Sequence, residues 1–433
     1  MKACVEYSEH LSGRIDAPSS KNYTTRYLLV AALAEGESLV HYPAASDDAK
    51  AMVSCLRRFG ARIEEAEDAR GKVLRVQGFG GRPAPPGVVD PGNAGAVLRF
   101  LMGVGSLLPE VRFATRFAES LGRRPHGDLL AALGQLGIAS ESDDGRLPIT
   151  LRGGPPRGGR LWVSGASSSQ YLSSLLFLAP LLPGGLEIEV RHGLVSGPLV
   201  RTTLEVMRQA GIQVESAEDL LQFRVPGGQT YQAREYWVNG DYPSSAALLA
   251  AGAVTRGHIV VGRLFEDSQG ERAVVPLLRR MGVSVAQQAS EVGVQGHAGL
   301  RAVEFDGDAA TDLVLAMVAV AAFAEGESRF YNVGNLRLKE CDRLAVPVRE
   351  LRRLGVDCEE GTSEIRVRGC PAGYDGGLEV PTHSDHRVAQ MLTIVGLRCR
   401  HGLTVLDAQT VGKSYPGFYD DLTRLGARIR MED

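Results

Sequence analysis

The pattern of apolar and polar positions repeats six times along the chain. In each repeat a helix-like apolar run ends at a glycine, and alternating apolar and polar residues follow, as in LRRFGARI at 56–63 and LRRMGVSV at 278–285. Glycine accepts the left-handed conformation that ends a helix, and alternation suits a strand with one buried face. The pattern predicts a helix, a glycine turn and a strand around each of Gly60, Gly137, Gly211, Gly282, Gly355 and Gly426.

A second kind of helix is predicted between these turns. Four segments are apolar around most of the helical circumference: 19–38, 92–108, 167–182 and 240–257. Helices of this kind are typical of the interior of a domain, because they present no polar face to water. The repeats therefore predict an α/β protein in which some of the helices are fully enclosed.

Composition and charge limit the classes of ligand. The 433 residues are 44% hydrophobic and 23% charged, which is the balance of a globular protein large enough for two or three domains. The net charge of −3 gives no general attraction to nucleic acid or to an anionic membrane, and we expect neither as a partner. Any anionic ligand would have to be bound by a local cluster of cations.

Cysteine spacing and the N-terminal segment bear on metal content and location. The six cysteines form no CxxC pair and no Cys/His cluster with metal-ligand spacing, so we expect reduced thiols and no metal. The segment MKACVEYSEHLSGR lacks the apolar centre of a signal sequence, and no uncharged apolar run is long enough to span a membrane. The expected location is the cytoplasm, and a monomer is expected.

Polar residues crowd the starts of the predicted buried helices. Helix N-termini offer unpaired N–H groups and a partial positive charge, which favour phosphate and carboxylate groups. Any one of these residues alone is better explained as a helix cap, but several in one chain favour an anion site. The crowded positions are Ser19, Ser20, Lys21, Thr24, Thr25 and Arg26; Asn93, Gly95 and Arg99; and Ser167, Ser168, Ser169 and Gln170.

The stretch LRLKECDRLAV at 336–346 concentrates charge of both signs. It places a lysine, a glutamate, an aspartate and two arginines within residues 337–343. A solvated helix start with local ion pairs would explain this composition, and so would a substrate site.

Seven segments, in this order, resemble the enolpyruvyl transferases, and most of all those that act on shikimate 3-phosphate. They are SSKNYTTRYLLVAALAEGES, GNAGAVLRFL, SSSQYLSSLLFLAP, GDYPSSAALLAAGA, NLRLKECDRLA, SDHRVAQ and GKSYPGF, and the similarity runs from about residue 14 to about residue 425. It implies a two-domain inside-out α/β prism of six βαβαββ-type repeats, three per domain, with the active site in the interdomain cleft. The domains would be residues 20–238, and residues 1–19 together with 239–433.

The resemblance also implies a reaction and its binding residues. The enolpyruvyl group of phosphoenolpyruvate would move to the 5-hydroxyl of shikimate 3-phosphate with release of phosphate, and two such anionic substrates need several cationic donors. The implied phosphoenolpyruvate-binding residues are Lys21, Asn93, Gly95, Arg124, Gln170, Arg343, Arg387 and Lys413. The implied phosphoshikimate-binding residues are Lys21, Asn22, Arg26, Ser168, Ser169, Gln170, Ser196, Asp312, Asn335 and Lys339.

Proton transfer needs at least two groups, since the acceptor hydroxyl loses a proton while the methylene carbon of phosphoenolpyruvate gains one. By resemblance Asp312 is the base, and Glu340 and Lys21 are the two candidates for the acid. Asp342 is expected to hold the neighbouring arginines in place. No cofactor is implied, because phosphoenolpyruvate is already activated.

Several positions depart from the family pattern, mainly on the acceptor side. Asn22 stands where serine is usual and Leu199 where an aromatic residue is usual, so an enolpyruvyl transferase with another shikimate-like acceptor is an alternative. Ala96 and Phe100 alter the helix that begins at Gly95, and sensitivity to glyphosate is therefore left open. The related enzyme that acts on UDP-N-acetylglucosamine typically has a cysteine within 112–126, where this chain has none. An RNA-end-processing protein with related repeats would favour a basic surface, which a pI of about 6.3 does not suggest.

Overall fold

The computed structural model describes residues 1–68, 71–296 and 299–433. Within these residues twelve α-helices occur. They are α1 Lys21–Leu33, α2 Asp47–Arg58, α3 Gly95–Gly105, α4 Gly127–Gln135, α5 Ser169–Leu178, α6 Gly197–Gln209, α7 Tyr242–Val254, α8 Val274–Arg280, α9 Val314–Ala321, α10 Ala345–Arg353, α11 His386–Gly396 and α12 Phe418–Arg424.

Short strands alternate with these helices along the same described ranges. The first twelve are β1 Lys2–Val5, β2 Gly13–Asp16, β3 Glu37–His41, β4 Arg62–Asp68, β5 Gly71–Gln77, β6 Val88–Val89, β7 Glu110–Phe113, β8 Ala139–Asp143, β9 Arg146–Arg152, β10 Gly159–Gly165, β11 Leu186–Leu194 and β12 Glu215–Ser216. The others are β13 Gln222–Val225, β14 Glu235–Trp237, β15 Gly257–Gly262, β16 Ser284–Gln288, β17 Glu291–Gly296, β18 Glu304–Asp306, β19 Glu327–Tyr331, β20 Asp357–Glu360, β21 Ile365–Arg368, β22 Leu378–Pro381, β23 Leu403–Leu406 and β24 Ile429–Glu432.

The chain divides into two compact units. The N-terminal unit is Ser19–Val238, and the C-terminal unit combines Met1–Pro18 with Asn239–Asp433. In the described part of the N-terminal unit the strands form sheets with the orders β14–β3–β5–β4, β6–β7–β9–β8 and β10–β11–β13–β12. In that of the C-terminal unit the orders are β2–β15–β17–β16, β18–β19–β21–β20 and β22–β23–β1–β24.

Each sheet has the same internal pattern, with one parallel pair at an edge and antiparallel pairs elsewhere. In one of them β18 runs parallel to β19, with Phe305 opposite Phe330, and β19 runs antiparallel to β21, with Ser328 opposite Val367. A parallel pair needs a crossover connection, whereas an antiparallel pair can be joined by a short turn. The repeated strand order therefore follows from the repeated order of helices and glycine turns.

The odd-numbered helices form the interior of the two units. Every residue of α7, α9 and α11 is buried, and so is every residue of α1 from Tyr23 onward. Full burial of a leucine or valine side chain stabilises the folded state by about 2 kcal/mol, so these helices supply much of the core. The prediction that the apolar helices at 19–38, 92–108, 167–182 and 240–257 are enclosed is confirmed.

The even-numbered helices are amphipathic, and in each of them a glycine directly follows the C-cap residue. These are the six glycines of the sequence repeat, with φ between 82° at Gly211 and 104° at Gly60 and Gly426. A left-handed residue at this position ends a helix and turns the chain into the next strand. The predicted helix, glycine turn and strand are therefore confirmed in all six repeats.

In the described residues, none of the helices combines the length and the apolar character that a membrane span requires.

Candidate active site

A continuous chain of ion pairs lies in the C-terminal unit, here called the Arg343 cluster: Asp312, Glu340, Arg343, Asp385, Arg387 and Lys413. Arg343 donates from Nε to Asp385 Oδ2 at 2.7 Å, from Nη1 to Asp312 Oδ1 at 2.9 Å and from Nη2 to Glu340 Oε2 at 2.8 Å. Glu340 is also 2.8 Å from Lys413 Nζ, and Asp312 is 3.8 Å from Arg387 Nη2. The structure thus brings five sequence-predicted residues together with a sixth residue, Asp385, in one cluster centred on Arg343.

Four of the six members of the Arg343 cluster, Asp312, Arg343, Asp385 and Arg387, lie within two residues of the start of an α-helix. Asp385 caps α11 by accepting a hydrogen bond from the backbone N–H of Arg387 at 2.8 Å, and Asp312 lies in the 3-10 turn Asp308–Leu313 that precedes α9. Arg343 comes just before α10, and Lys413 ends the 3-10 turn Ala408–Lys413 before α12. Helix N-termini favour anions, so the fold places the starts of α9, α10 and α11 near these cationic side chains.

Burial makes the charges of this cluster strongly interdependent. The Arg343 side chain is 2% exposed and that of Asp385 is 0% exposed. Burial alone would lower the pKa of Arg343, but the charges of Asp385, Glu340 and Asp312 outweigh it and raise that pKa well above its ordinary value. Arg343 therefore stays charged, and the three carboxylates balance the three cations.

Two further carboxyl groups lie in the same unit near Arg387. Asp241 caps α7 through a 2.9 Å hydrogen bond from the backbone N–H of Ser244 to Oδ2, while its buried Oδ1 has no hydrogen-bond partner among the described residues. Glu271 is buried in the 3-10 turn Gly270–Ala273. Burial, followed by the charge of Asp312, raises the pKa of Glu271 to about 8.

Cys341 lies against this cluster. Its Sγ donates to Asp385 Oδ2 at 3.5 Å. Burial, followed by the charge of Asp385, raises the pKa of the thiol well above its ordinary value. The thiol therefore stays protonated, and Cys341 acts as a small hydrogen-bond donor to Asp385.

A second group of site residues lies in the N-terminal unit and is here called the Gly95 cluster: Gly95, Arg99, Arg124, Ser168 and Gln170. Arg99 Nη1 donates to Gln170 Oε1 at 2.8 Å and to Ser168 Oγ at 3.2 Å. A methyl group on Gly95 would lie 3.0 Å from Arg124 Nη1 and 3.8 Å from Arg99 Nη1. Glycine therefore allows two guanidinium groups to approach the start of α3.

His126 supports the same cluster without adding a charge. Its ring is fully buried, and Nδ1 accepts a hydrogen bond from Arg99 Nε at 3.4 Å. Burial, followed by the charges of Arg99 and Arg124, lowers the pKa of His126 to about 2. A neutral imidazole can accept from Arg99, whereas an imidazolium would repel both arginines.

Lys21 and Arg26 lie on α1 of the same unit. Lys21 Nζ is 3.2 Å from Asp48 Oδ2, and both side chains are largely buried. Arg26 is almost fully buried and donates to Thr203 Oγ1 at 2.9 Å and to the carbonyl oxygens of Asn22 and Leu199. Burial lowers the pKa of Arg26 to about 10, so the guanidinium remains a cation at neutral pH.

The remaining predicted residues of this unit are at helix starts. Ser196 is buried and has the left-handed φ of 54° at the cap of α6, a conformation that is uncommon for serine and concentrates at functional sites. Ser169 begins α5, and Asn22 belongs to the first turn of α1. Asn93 precedes the start of α3 by two residues and is half-buried.

Asn335 and Lys339 belong to the segment that precedes Arg343, and both are half-buried. The expected role of Asp342 is only partly correct. Asp342 pairs with Arg337 at 2.7 Å and accepts from the backbone N–H groups of Leu344 and Ala345, whereas Arg343 is held by other carboxylates. The charge of 337–343 thus divides between a helix cap at Asp342 and the buried cluster around Arg343.

Two members of these clusters, Arg99 and Asp385, have no substrate role in the sequence-based assignment, and neither do the neighbouring residues Asp48, His126 and Glu271. Arg99 stands out in sequence as a cation within an apolar helix. His126 and Glu271 carry no comparable signal, because their contacts come from residues distant in the chain.

Comparisons with known proteins agree with this picture. A family model described as EPSP synthase (3-phosphoshikimate 1-carboxyvinyltransferase) matches residues 5–422. A protein named 3-phosphoshikimate 1-carboxyvinyltransferase from Deinococcus radiodurans is 46% identical over 99% of this chain and 97% of its own length. A protein of the same name from Burkholderia pseudomallei is 36% identical over 98% and 94%.

Two solved structures share the fold. An EPSP synthase from Acinetobacter baumannii matches with a TM-score of 0.83 at 23% identity, covering 100% of this chain and 99% of that one. The enolpyruvyl transferase NikO from Streptomyces tendae matches with a TM-score of 0.79 at 19% identity, covering 99% and 98%. The predicted resemblance and the mixed α/β fold class are confirmed.

Proposed function

The chain belongs to the EPSP synthase family, and from that premise we propose that the Arg343 cluster and the Gly95 cluster both serve this family's reaction. The protein transfers the enolpyruvyl group of phosphoenolpyruvate to the 5-hydroxyl of shikimate 3-phosphate and releases phosphate. This reaction belongs to the shikimate pathway, which leads to chorismate and the aromatic amino acids. The alternatives, another acceptor or RNA-end processing, are not favoured by relatives that all carry the same enzyme name.

The Arg343 cluster carries the assignment of the phosphoenolpyruvate site. Phosphoenolpyruvate presents a phosphate and a carboxylate, and planar guanidinium groups bind such oxyanions with paired hydrogen bonds. Arg343, Arg387 and Lys413 supply three buried cations in the C-terminal unit. Lys21 and Arg124 are the corresponding cations of the N-terminal unit, with Asn93, Gly95 and Gln170 beside them.

Binding of this donor would engage a cluster whose hydrogen bonds are already mostly made. Four of the five N–H groups of the Arg343 guanidinium donate to carboxylates, which leaves one N–H on Nη1 for an oxyanion unless Glu340 or Asp312 moves. Arg387 differs, since its buried Nε has no hydrogen-bond partner among the described residues. We assign Arg387 as the first contact of an incoming oxyanion and Arg343 as a later one.

The phosphoshikimate side is assigned to hydroxyl, amide and cationic groups. These are Lys21, Asn22, Arg26, Ser168, Ser169, Gln170, Ser196, Asp312, Asn335 and Lys339. Two observations support the assignment. Arg26 is a buried cation that donates to a threonine hydroxyl and to two backbone carbonyl oxygens, all neutral groups, and Ser196 holds an uncommon backbone conformation. A buried charge without an acidic partner is costly, and an anionic ligand would offset that cost.

Proton transfer is assigned to Asp312, Glu340 and Lys21. Asp312 acts as the base towards the acceptor hydroxyl, because it is the member of the Arg343 cluster with the most exposed side chain, at 22%. Glu340 and Lys21 remain the two candidates for the acid. Glu340 lies between Lys413 and Arg343, so substrate anions that engage these cations would free it to carry a proton.

The experiment that tests this function is phosphate release by the purified protein. Release should require both phosphoenolpyruvate and shikimate 3-phosphate, and unphosphorylated shikimate should replace the acceptor poorly because it lacks the phosphate that the serines and Arg26 bind. If phosphate is not released although phosphoenolpyruvate raises the melting temperature, the donor site stands and the acceptor is wrong. In that case Asn22 and Leu199 are the positions to vary first. The cytoplasmic location and the monomeric state stay predictions.

A further inference from the structure

Glu271 is a buried carboxyl group that the reaction as described does not use. It is 6% exposed, and no cation lies within ion-pair distance of it among the described residues. An unpaired carboxyl inside a protein is costly, so such a group is expected either to be neutral or to have a function.

The position of Glu271 in the repeat matches that of residues already placed in a site. Among the described helices, five of the six that end at a repeat glycine begin within five residues of a residue assigned to the substrates or, at α2, of the partner of Lys21. These residues are Asp48 at α2, Arg124 at α4, Ser196 at α6, Arg343 at α10 and Lys413 at α12. Glu271 lies in the 3-10 turn that leads into the sixth, α8.

Local hydrogen bonds hold this turn beside the start of α7. Gln269 Oε1 accepts from the backbone N–H of Tyr242 at 3.0 Å, and its Nε2 donates to the carbonyl oxygen of Gly240 at 2.9 Å. Arg387 is tied to the same helix start, because its Nη1 donates to the carbonyl oxygen of Pro243 at 2.8 Å. The turn with Glu271 also packs against the turn that carries Asp312.

The charged groups around Glu271 explain its protonation state. Those that act on it are Asp312, Arg387 and Asp241, in that order of influence. Among the groups on the elements that pack against the Glu271 turn, Tyr242 of α7 is a neutral phenol. Arg272, the next residue along the chain, is paired with Glu266 at 2.6 Å. Asp308 lies on the same turn as Asp312. Two carboxylates and one guanidinium leave an excess of negative charge, which together with burial favours the neutral acid.

We propose that Glu271 is a further residue of the donor site, a positioning group that works as an uncharged carboxyl beside Asp312 and Arg387. In this form it does not compete with phosphoenolpyruvate for the guanidinium of Arg387. Ionisation would add a negative charge where an anionic substrate must bind, and would draw Arg387 away from it. The inference rests on the proposed function, since it concerns the same donor site.

The test is the pH profile of Glu271→Gln, whose amide keeps the shape of the neutral acid. In the wild-type protein the KM for phosphoenolpyruvate should rise at least about fivefold as pH passes through about 8, because the pKa of Glu271 is raised to that value. In Glu271→Gln this rise should be absent, with a KM at pH 7 within about twofold of wild type. Glu266→Gln, an exposed carboxyl nearby, is the matched control and should follow the wild-type curve.

A measurement on the wild-type protein alone covers the case in which the variant does not fold. Infrared difference spectra between pH 7 and pH 9.5 should show loss of the carbonyl band of a protonated carboxylic acid. Coincident KM profiles for wild type and Glu271→Gln, or the absence of that band, would overturn the inference while leaving the function intact. Absence of phosphate release from the wild-type protein at every pH would instead overturn the proposed function, and with it the inference.

Discussion

Individual acidic residues fix the positions of the cations that we propose to bind the anionic substrates. Lys21, Arg343 and Lys413 each face a carboxylate within 3.2 Å, so none is left uncompensated in a protein interior. A buried cation without a partner would be costly, and a carboxylate partner also fixes the direction of the side chain. Among these partners Asp48 and Asp385 act as positioning groups, and their removal should lower both activity and stability.

Asp48 offers a direct case at the residue scale. In Asp48→Asn the partner of Lys21 loses its charge but keeps its shape, so Lys21 should lose its orientation. We expect kcat/KM to fall about tenfold or more, and the melting temperature to fall as well, because Lys21 is left without its carboxylate partner. Asp47→Asn is the control, because Asp47 is the exposed neighbour on the same helix start. Equal rates in the two variants would show that Asp48 does not position Lys21.

Little of this residue-scale picture could be predicted from the sequence. Cationic motifs such as KECDR mark where charge accumulates, and the resemblance implies what it binds. The partners of Arg343 come from positions 312, 340 and 385, and only Glu340 is a local neighbour. Contacts between distant segments depend on the tertiary fold, which also explains why Glu271 and His126 have no local sequence signal.

At the scale of elements, helix ends were the most predictable feature because capping is local chemistry. Gly355 ends α10 with φ of 86°, and a methyl group there would meet no other atom within 4 Å. Gly355→Ala should therefore cost about 1 kcal/mol of unfolding free energy through backbone conformation alone.

Gly134 provides the opposite case for the same substitution. It lies inside α4, and a methyl group there would also meet open space. Gly134→Ala should stabilise by about 0.5 to 1 kcal/mol, because alanine suits a helix interior. Urea unfolding of both variants measures the two changes in unfolding free energy, and changes of the same sign would contradict this account of the helix ends.

The close approach at the start of α3 gives a second prediction for an element. In Gly95→Ala the new methyl group would lie 3.0 Å from Arg124 Nη1, so the guanidinium must move by a few tenths of an ångström. We expect the KM for phosphoenolpyruvate to rise about fivefold or more, with the KM for shikimate 3-phosphate within about twofold. Gly127→Ala, at the first residue of α4 where a methyl group meets open space, is the control. An unchanged KM for phosphoenolpyruvate would remove Gly95 and Arg124 from the donor site.

The turn before α11 gives a third prediction. His383 and Ser384 have left-handed φ of 52° and 58°, and His383 Nε2 lies 2.9 Å from the buried carboxylate of Glu350 on α10. The contact joins the two segments that carry Arg343 and Asp385. His383→Gly keeps the backbone conformation and removes the contact, so it should raise the KM for phosphoenolpyruvate about fivefold at nearly constant kcat.

A double-mutant cycle decides whether His383 acts through Glu350. Glu350→Gln should produce a similar change, and the double variant should be no worse than the more severe single variant. Asp144→Gly, another left-handed position that is exposed and far along the chain, controls for added backbone freedom. Additive effects in the cycle would show that His383 acts independently of Glu350.

At the scale of the whole molecule, the fold concentrates cations in a chain whose net charge is −3. Each unit repeats the same arrangement of sheet, buried helix and glycine-ended helix, and site residues occur at the helix starts of both units. The repeat was readable from the sequence because it is a periodic pattern. The pairing of β1 with β23 and β24 could not be predicted from the sequence, because its register depends on contacts between residues more than 390 positions apart.

The central claim is that clusters from both units serve one reaction, and the most direct test removes one residue from each. Phosphate release from phosphoenolpyruvate and shikimate 3-phosphate should fall at least about a hundredfold in Lys21→Met, from the N-terminal unit, and in Glu340→Ala, from the C-terminal unit. Lys50→Met and Glu304→Ala, exposed residues of the same two units, should retain the wild-type rate. A near wild-type rate in either Lys21→Met or Glu340→Ala, with the protein folded, would contradict the account.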